Sequence, residues 1–404
     1  MKPLDGVRVL DLSRVVSGPF CSMMLGDMGA DIIKVEHPEG GDDTRAFGPP
    51  FVGGEAAYFL SVNRGKRSVA LDLKHAAVAP VLEALIAKSD VLLENFRPGA
   101  ADRLGLGYEA AAAINPRLVY CSISGFGSHG PERDRPGYDL VVQGESGIMD
   151  ITGDPNGPPS KIGTSIADLV TGLYAAQGIL LALRTRDATG RGEKVDVAMI
   201  DAMASLLTFN AGIFFASGKS PVRRGNAHPT IVPYETFRAA DGWINIAVAN
   251  DALWRRFCEA CDRKDLLDDP RFAKAADRVA NRTILVPIVE TMIAAQPRAY
   301  WTKRLSNAGV PCGAIKTVGE VCTDPGLLAR GKIKELAHPT AGPVRVIDTP
   351  ISFSSTQGGA ETPPPLLGQH TRDVLRDLAG LSPDAIEALI AQGVARCAHE
   401  PTHG

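Results

Sequence analysis

In the stretch SIADLVTGLYAAQGILLAL, residues 165–183, Asp168 is the only acidic side chain between Asp154 and Asp187. A lone carboxylate at the front of an apolar helix has two readings. Ser165 followed three positions later by an acid fits the [ST]-x-x-[DE] capping pattern, in which side-chain oxygens satisfy the free amides of the first turn and stabilise the helix by about 0.5–2 kcal/mol. An ionised carboxylate can also attack a carbonyl as a nucleophile. Spacing alone favours the cap. The two roles are compatible, because amides that cap a carboxylate also keep it ionised.

Other chemistry is sparse. The eight histidines show no H-E-x-x-H or other metal-ligand spacing, and no G-x-S-x-G nucleophile elbow occurs. The seven cysteines have no obvious histidine partner. Cys258 and Cys261 form a CxxC, but no second pair lies nearby to complete a metal site, so they read as reduced, incidental thiols. GFGSHG, residues 125–130, matches G-x-G-x-x-G behind a strand. PERDRPG then follows where a dinucleotide site needs a helix, and the first strand–helix unit carries SRVVSGP in place of glycines. A nicotinamide cofactor is therefore not expected. Carboxylates remain as the candidate nucleophiles. Basic residues cluster at Arg64, Lys66 and Arg67, at Lys74, and at Arg97 and Arg103, close to predicted strand ends. They read either as phosphate partners or as a solvated surface.

The elements that must position these groups alternate strand and helix. VRVLDL, DIIKVE, RSVALDL, DVLLEN, RLVYCSIS and EKVDVAM read as strands, with helices opening at Pro19, at His75 and at the front of the Asp168 segment. That alternation predicts a parallel sheet covered on both faces, with ligands beyond the carboxyl ends of its strands. An apolar helix to about Ser217 closes a first region, 1–217. A Gly/Pro/Arg-rich run leads to a smaller α+β region, 225–325, whose hairpin is expected to turn at Asp241-Gly242. A C-terminal segment, 330–404, follows and includes PPPLLGQHT.

Composition narrows the class. Of 404 residues 45% are hydrophobic and 22% charged, with a net charge of −3, which gives no general attraction to nucleic acid or an anionic membrane. The most apolar run, 169–183, is too short for a membrane span and reads as a buried helix. The opening MKPLDGVRVLDLS lacks the apolar core of a signal peptide, so a cytoplasmic protein is expected.

Over nearly its whole length the sequence resembles the family III CoA-transferases, the group of the formyl-CoA and carnitine CoA-transferases. The resemblance is carried by PLDGVRVLDLSRVVSGP, LGDMGADIIKVEHPEGGDD, NRGKRSVALDLK, DVLLENFRPG, GYD, SIADLVTGLYA, GRGEKVDVAM and GNAHPTIVPYETF. It implies an α/β fold with a large Rossmann-like domain, a smaller α+β domain, and an interlocked homodimer. It also implies that Asp168 attacks an acyl-CoA thioester, passing through a mixed anhydride and an aspartyl-CoA thioester. No permanently bound cofactor is implied; coenzyme A and a small carboxylic acid are the substrates. The family's CoA contacts fall on Val16, Ser17, Leu71, Lys74, Asn95, Phe96, Arg97 and Arg103, and on His37, where relatives often carry arginine. On that implication Lys74, Arg97 and Arg103 become phosphate partners.

The family also contains α-methylacyl-CoA racemases, which place a histidine before an aspartate in a GHD motif. Here Gly137-Tyr138-Asp139 stands instead, and tyrosine lacks the near-neutral acid/base of imidazole, which favours transfer. A CoA-binding protein without catalysis is the remaining alternative, and the intact Asp168 argues against it. GDDTRAFGPPFVGGEAAYFLSVNRGKRS and PPPLLGQHT look most like the succinate–hydroxymethylglutarate branch, which handles dicarboxylates. Arg45 and Tyr138 are the expected substrate contacts. The alternative for Arg45 is a structural ion pair with Asp42 or Asp43. Segments 52–54 and 224–233 are the candidate lids.

Overall fold

The computed structural model describes residues 1–398, which form two compact units. One comprises Met1–Ile148, Lys161–Phe215 and the chain from Pro325 onward; the other comprises Met149–Ser160 and Ala216–Asp324. The short 149–160 segment of the second unit lies inside the region 1–217 expected to form the first, so the expected boundary is corrected there.

The first unit is built on a seven-stranded sheet. Its strands are β1 (Arg8–Asp11), β2 (Asp31–Glu36), β3 (Lys66–Leu71), β4 (Val91–Glu94), β5 (Val119–Ser124), β6 (Lys194–Ala198) and β7 (Ala395–Arg396). They lie in the order β7-β3-β2-β1-β4-β5-β6, all parallel except the edge strand β7. Val9, Leu10, Val91, Leu92 and Leu93 have no exposed surface, as expected where helices cover both faces of a sheet. One face packs on Leu82, Leu85, Val374 and Ile386, and the other on Cys21, Leu25, Ala175 and Ile179. The chain runs outward in one direction through β2 and β3 and in the other through β4 and β5. The loops leaving β1 and β4 therefore part at the topological switch point, the crevice where such sheets hold ligands.

Two helices on the second face fix that crevice. Helix α1 (Ser17–Asp27) begins two residues before the proline that the sequence suggests as its start, and α2 (Ile166–Thr189) carries Asp168. They cross closely at Gly172, one turn after Asp168: a Cβ there would lie 2.7 Å from the carbonyl oxygen of Ser17. The close crossing brings the start of α1 beside Asp168. Although α2 is long and apolar enough to cross a membrane, half of its most apolar window is buried within the unit. The single apolar helix expected near residue 217 is two, Met199–Ser205 and Thr208–Ser217, bent by 74°.

Below the β1–α1 loop lies a buried charge cluster. Lys34 pairs with Asp42 at 2.8 Å, both side chains fully buried, and donates to the Ser13 carbonyl. Asp11 accepts from the Ser13 amide and hydroxyl and from Ser22, and it pairs with Lys66. Lys66 donates to the carbonyl of Pro19. Burial alone would raise Asp42, but the Lys34 ammonium overrides it and pulls the carboxyl down to about 2. This corrects the phosphate reading of NRGKRS: Lys66 is buried in this cluster, Arg64 pairs with Asp27, and Arg67 pairs with Asp31.

The second unit carries a three-stranded antiparallel sheet, Tyr234–Ala239, Gly242–Ala247 and Cys312–Ala314, packed on helices Asp251–Ala260, Arg282–Ala294 and Arg298–Asn307. Gly242 pairs with Ala239, so the hairpin turns at Ala240-Asp241, one residue before the expected place. Cys258 and Cys261 are buried, unpaired thiols of this core.

Removing one partner of a buried ion pair strands the other charge. Lys34→Met is expected to lower unfolding stability by about 3–5 kcal/mol, read from urea titrations at neutral pH. A change below about 1 kcal/mol would show that the cluster does not hold the loop.

Candidate active site

Both switch-point loops come to one cavity of about 380 Å³. Arg14, Val15, Val16 and Ser17 line it from the loop after β1; Asn95, Phe96, Arg97 and Arg103 line it from the segment after β4. The two loops are clamped by the Asn95 side chain, which accepts from the Arg14 amide and donates to the Arg14 carbonyl, each at 2.8 Å. Asn95 thus shapes the wall with the polar groups that a ligand would otherwise use. Val15 takes φ 69°, a conformation that costs a β-branched residue on the order of 1–3 kcal/mol. The clamp on Arg14 and the bond from the Val15 amide to Asp42 hold it there.

Ser124, Gly125 and the segment Arg135–Tyr138 close another side. A Cβ on Gly125 would fall 2.6 Å from the Gly137 Cα, and one on Gly137 would fall 2.5 Å from the Gly125 Cα. The first glycine of GFGSHG therefore serves a backbone-to-backbone contact, which brings Tyr138 to the cavity. Tyr138 itself is 67% exposed.

Asp168 reaches the cavity from the first turn of α2. The structure overturns the capping expectation. Ser165 stands at the cap position but its side chain makes no capping bond. The acid that satisfies the helix start is Asp139, which accepts from the Ala167 amide at 2.9 Å and from Gln143 at 2.8 Å. Gln143 in turn accepts from the Ile162 amide, so the two side chains hold the approach to α2. Asp168 gains no stabilising donor among the described residues. Burial, and then the neighbouring Asp139 carboxylate, push its pKa up to about 7. Its charged form is disfavoured, the opposite of the sequence expectation.

Other expected residues lie elsewhere. Leu71 has no exposed surface and packs in the core of β3. Lys74 and His37 are exposed and outside the cavity wall; the His37 ring contacts the backbone of Glu39. Arg45 is corrected most sharply. It makes a two-point contact with Glu36, reaches Glu55 at 3.0 Å and the Pro365 carbonyl, and covers the Phe59 ring. Its charge is spent inside the unit, on neither of the two aspartates considered for it. Arg97 and Arg103, by contrast, have no salt bridge among the described residues. Sequence reasoning missed Val15, Arg135 and Asp139 at the site. Only Asp139 carried a signal, its place in GYD.

The comparisons with known proteins agree with this architecture. Residues 4–371 match the model of CoA-transferase family III. The chain is 40% identical over 394 residues to mouse succinyl-CoA:glutarate CoA-transferase, covering 98% of this chain and 90% of that one. It is 42% identical over 362 residues to acetyl-CoA:oxalate CoA-transferase of Acetobacter aceti, covering 89% and 92%. A crystal structure of a CAIB/BAIF family protein from Brucella suis superposes with a TM-score of 0.86 at 43% identity, over 93% of this chain and 99% of that one. The fold is the α/β fold of that CAIB/BAIF family protein. The chain belongs to CoA-transferase family III and is a CoA-transferase.

A nucleophilic Asp168 would have to be ionised to attack, and in that case kcat/KM for the acyl-CoA is expected to rise with pH through about 7. Asp139→Asn retains an acceptor for Ala167 while removing the like charge, and should move that limb to lower pH. Because the folded protein binds this proton more tightly than the unfolded chain, stability falls as pH rises from about 4 to 7. Asp168→Asn should therefore be more stable than the parent at pH 8, by no more than about 4 kcal/mol, and equal to it near pH 4. Thermal unfolding at the two pH values checks this.

Proposed function

We propose that the protein transfers CoA from an acyl-CoA, succinyl-CoA among them, to a short dicarboxylic acid, with Asp168 as nucleophile. The observation that carries the reading is the placement of Asp168, the acid whose charge is disfavoured, in the switch-point cavity. The uncommitted Arg97 and Arg103 share that cavity and suit the phosphates of CoA.

The Asp168 carboxylate attacks the thioester carbonyl, the C–S bond breaks, and CoA leaves as a thiolate from a mixed anhydride. The thiolate attacks the aspartyl carbonyl, releasing the first acid and leaving an aspartyl-CoA thioester. The acceptor carboxylate repeats the sequence in reverse: it displaces the thiolate to form a second anhydride, and the thiolate takes the new acyl group and frees Asp168. Every covalent state leaves Asp168 uncharged. Burial and Asp139, which disfavour its anion, lower the energy of these neutral states relative to the free carboxylate.

Dicarboxylic acids are supported by the relatives, one named for glutarate and one for oxalate. A racemase reading is opposed by Tyr138, which replaces the family's histidine at this wall. The chain is read as a homodimer because α2 leaves Leu173, Tyr174 and Leu181 exposed, and helix Thr208–Ser217, with Phe209 and Phe215, buries no residue. Apolar faces of that extent fit a partner surface.

CoA exchange across succinyl-CoA, glutaryl-CoA and acetyl-CoA with free acids tests the activity. Asp168→Asn should fold and bind CoA yet lose transfer by about a thousandfold or more, and mass spectrometry after succinyl-CoA treatment should find the acyl or CoA adduct on Asp168 only. Full transfer by that variant, or solvent deuterium entering the acyl α-carbon without any free acid, would sink the proposal.

A further inference from the structure

A second cavity, of about 350 Å³, adjoins the first. The two share Val16, and the second is lined by Ser165, the cap position of the Asp168 helix, and by Leu169, the residue after Asp168. Its other walls include Tyr58, Thr164 and Lys161. Lys161 is the cationic side chain of this cavity, and no acidic residue lines it. The Lys161 ammonium has no ion pair or hydrogen bond among the described residues. The hydroxyl groups of Tyr58, Thr164 and Ser165 likewise have no hydrogen-bond partner among them. The Tyr58 ring is steadied edge-on by Phe47, with centroids 5.5 Å apart.

We infer that this second cavity is the distal-carboxylate subsite, in which Lys161, assisted by the Tyr58 and Ser165 hydroxyls, holds the non-reacting carboxylate of the dicarboxylic substrate. The inference rests on the transferase reading and deepens it. With one carboxyl carbon at Asp168, a short diacid chain passes Val16 and brings its second carboxylate among these donors. Every unspent polar side chain there can donate, and the one charge is positive, which is complementary to a carboxylate and offers nothing to a methyl terminus. Arg45, the cation that sequence suggested for this purpose, is already saturated by Glu36 and Glu55. Lys161 is exposed in the chain as described, so its substitution removes no buried contact.

The test compares two acceptors of equal length, succinate and butyrate, with one acyl-CoA donor held constant. The ratio of their kcat/KM values then reports only the acceptor half-reaction. Lys161→Met should lower kcat/KM for succinate by about tenfold or more while leaving butyrate unchanged, and Lys161→Arg should restore most of the loss. Calorimetric titration of succinate into CoA-loaded Asp168→Asn protein, with and without Lys161→Met, reads the same contact without turnover and should show a matching loss of affinity. Equal effects on both acids, or unchanged succinate affinity, would overturn the subsite. A parent enzyme that transfers CoA among monocarboxylic acids but to no dicarboxylic acid would also overturn it, leaving the nucleophile in place. A parent enzyme that transfers CoA to no acid at all would instead overturn the functional reading.

Discussion

Beneath the loop that leaves β1, the side chains of Asp11, Lys34, Asp42 and Lys66 are withdrawn from water and arranged so that each charge meets an opposite one. Among their other hydrogen bonds are those to the Ser13 amide and carbonyl and to the Pro19 carbonyl, the two ends of the segment that must change from strand to helix. A buried charge without a partner is costly, so the loop has little freedom to leave this arrangement. The strained Val15 and the start of α1 take their positions from it. From there the constraint passes through the α1–α2 crossing at Gly172 to Asp168, one helical turn away.

The site combines a rigid frame with a group held away from its preferred state. Asn95 joins the two switch-point loops, and Asp139 with Gln143 fixes the backbone ahead of α2. Neither device provides Asp168 with a donor. Asp139 spends its carboxylate on the Ala167 amide, the neighbour of Asp168, and presents its charge to Asp168. A carboxylate that was well capped would be stable and slow to attack. One that is desolvated and repelled is better off acylated, and a chain of exchanges between anhydride and thioester needs such a group.

Much of this fold was legible in advance. The strand DIIKVE ends where it was expected to, because a short β-branched run bounded by Gly29 and Pro38 leaves little choice. Arg97 and Arg103, left open by position alone between phosphate partners and solvated surface, line the switch-point cavity, where the family resemblance implies them. Where the reading failed, a local rule met a distant competitor. The S-x-x-D pattern called for a cap supplied by Ser165 and Asp168, but Asp139 occupies that role from a separate helix. Arg45 sits in a polar run beside Asp42 and Asp43, but the acids that claim it, Glu36 and Glu55, come from a strand end and a hairpin. Basic NRGKRS, open between phosphate partners and a solvated surface, supplies structural counter-charges to Asp27, Asp11 and Asp31 instead.

The sequence by itself determined the family, the parallel order of alternating strands and helices, and the identity of the acid at the front of the long apolar helix. These depend on residue type and short-range periodicity, which a chain carries whatever its tertiary contacts. Only the tertiary structure decided which polar groups are spent and which are free. Charge pairing, desolvation and close backbone approach depend on distances between segments that lie far apart in sequence, as with Gly125 and Gly137 or Asp139 and Ala167. The same distances made Arg45 structural, left Lys161 without a partner among the described residues, and turned Asp168 from a stabilised cap into a carboxylate whose charge the fold opposes.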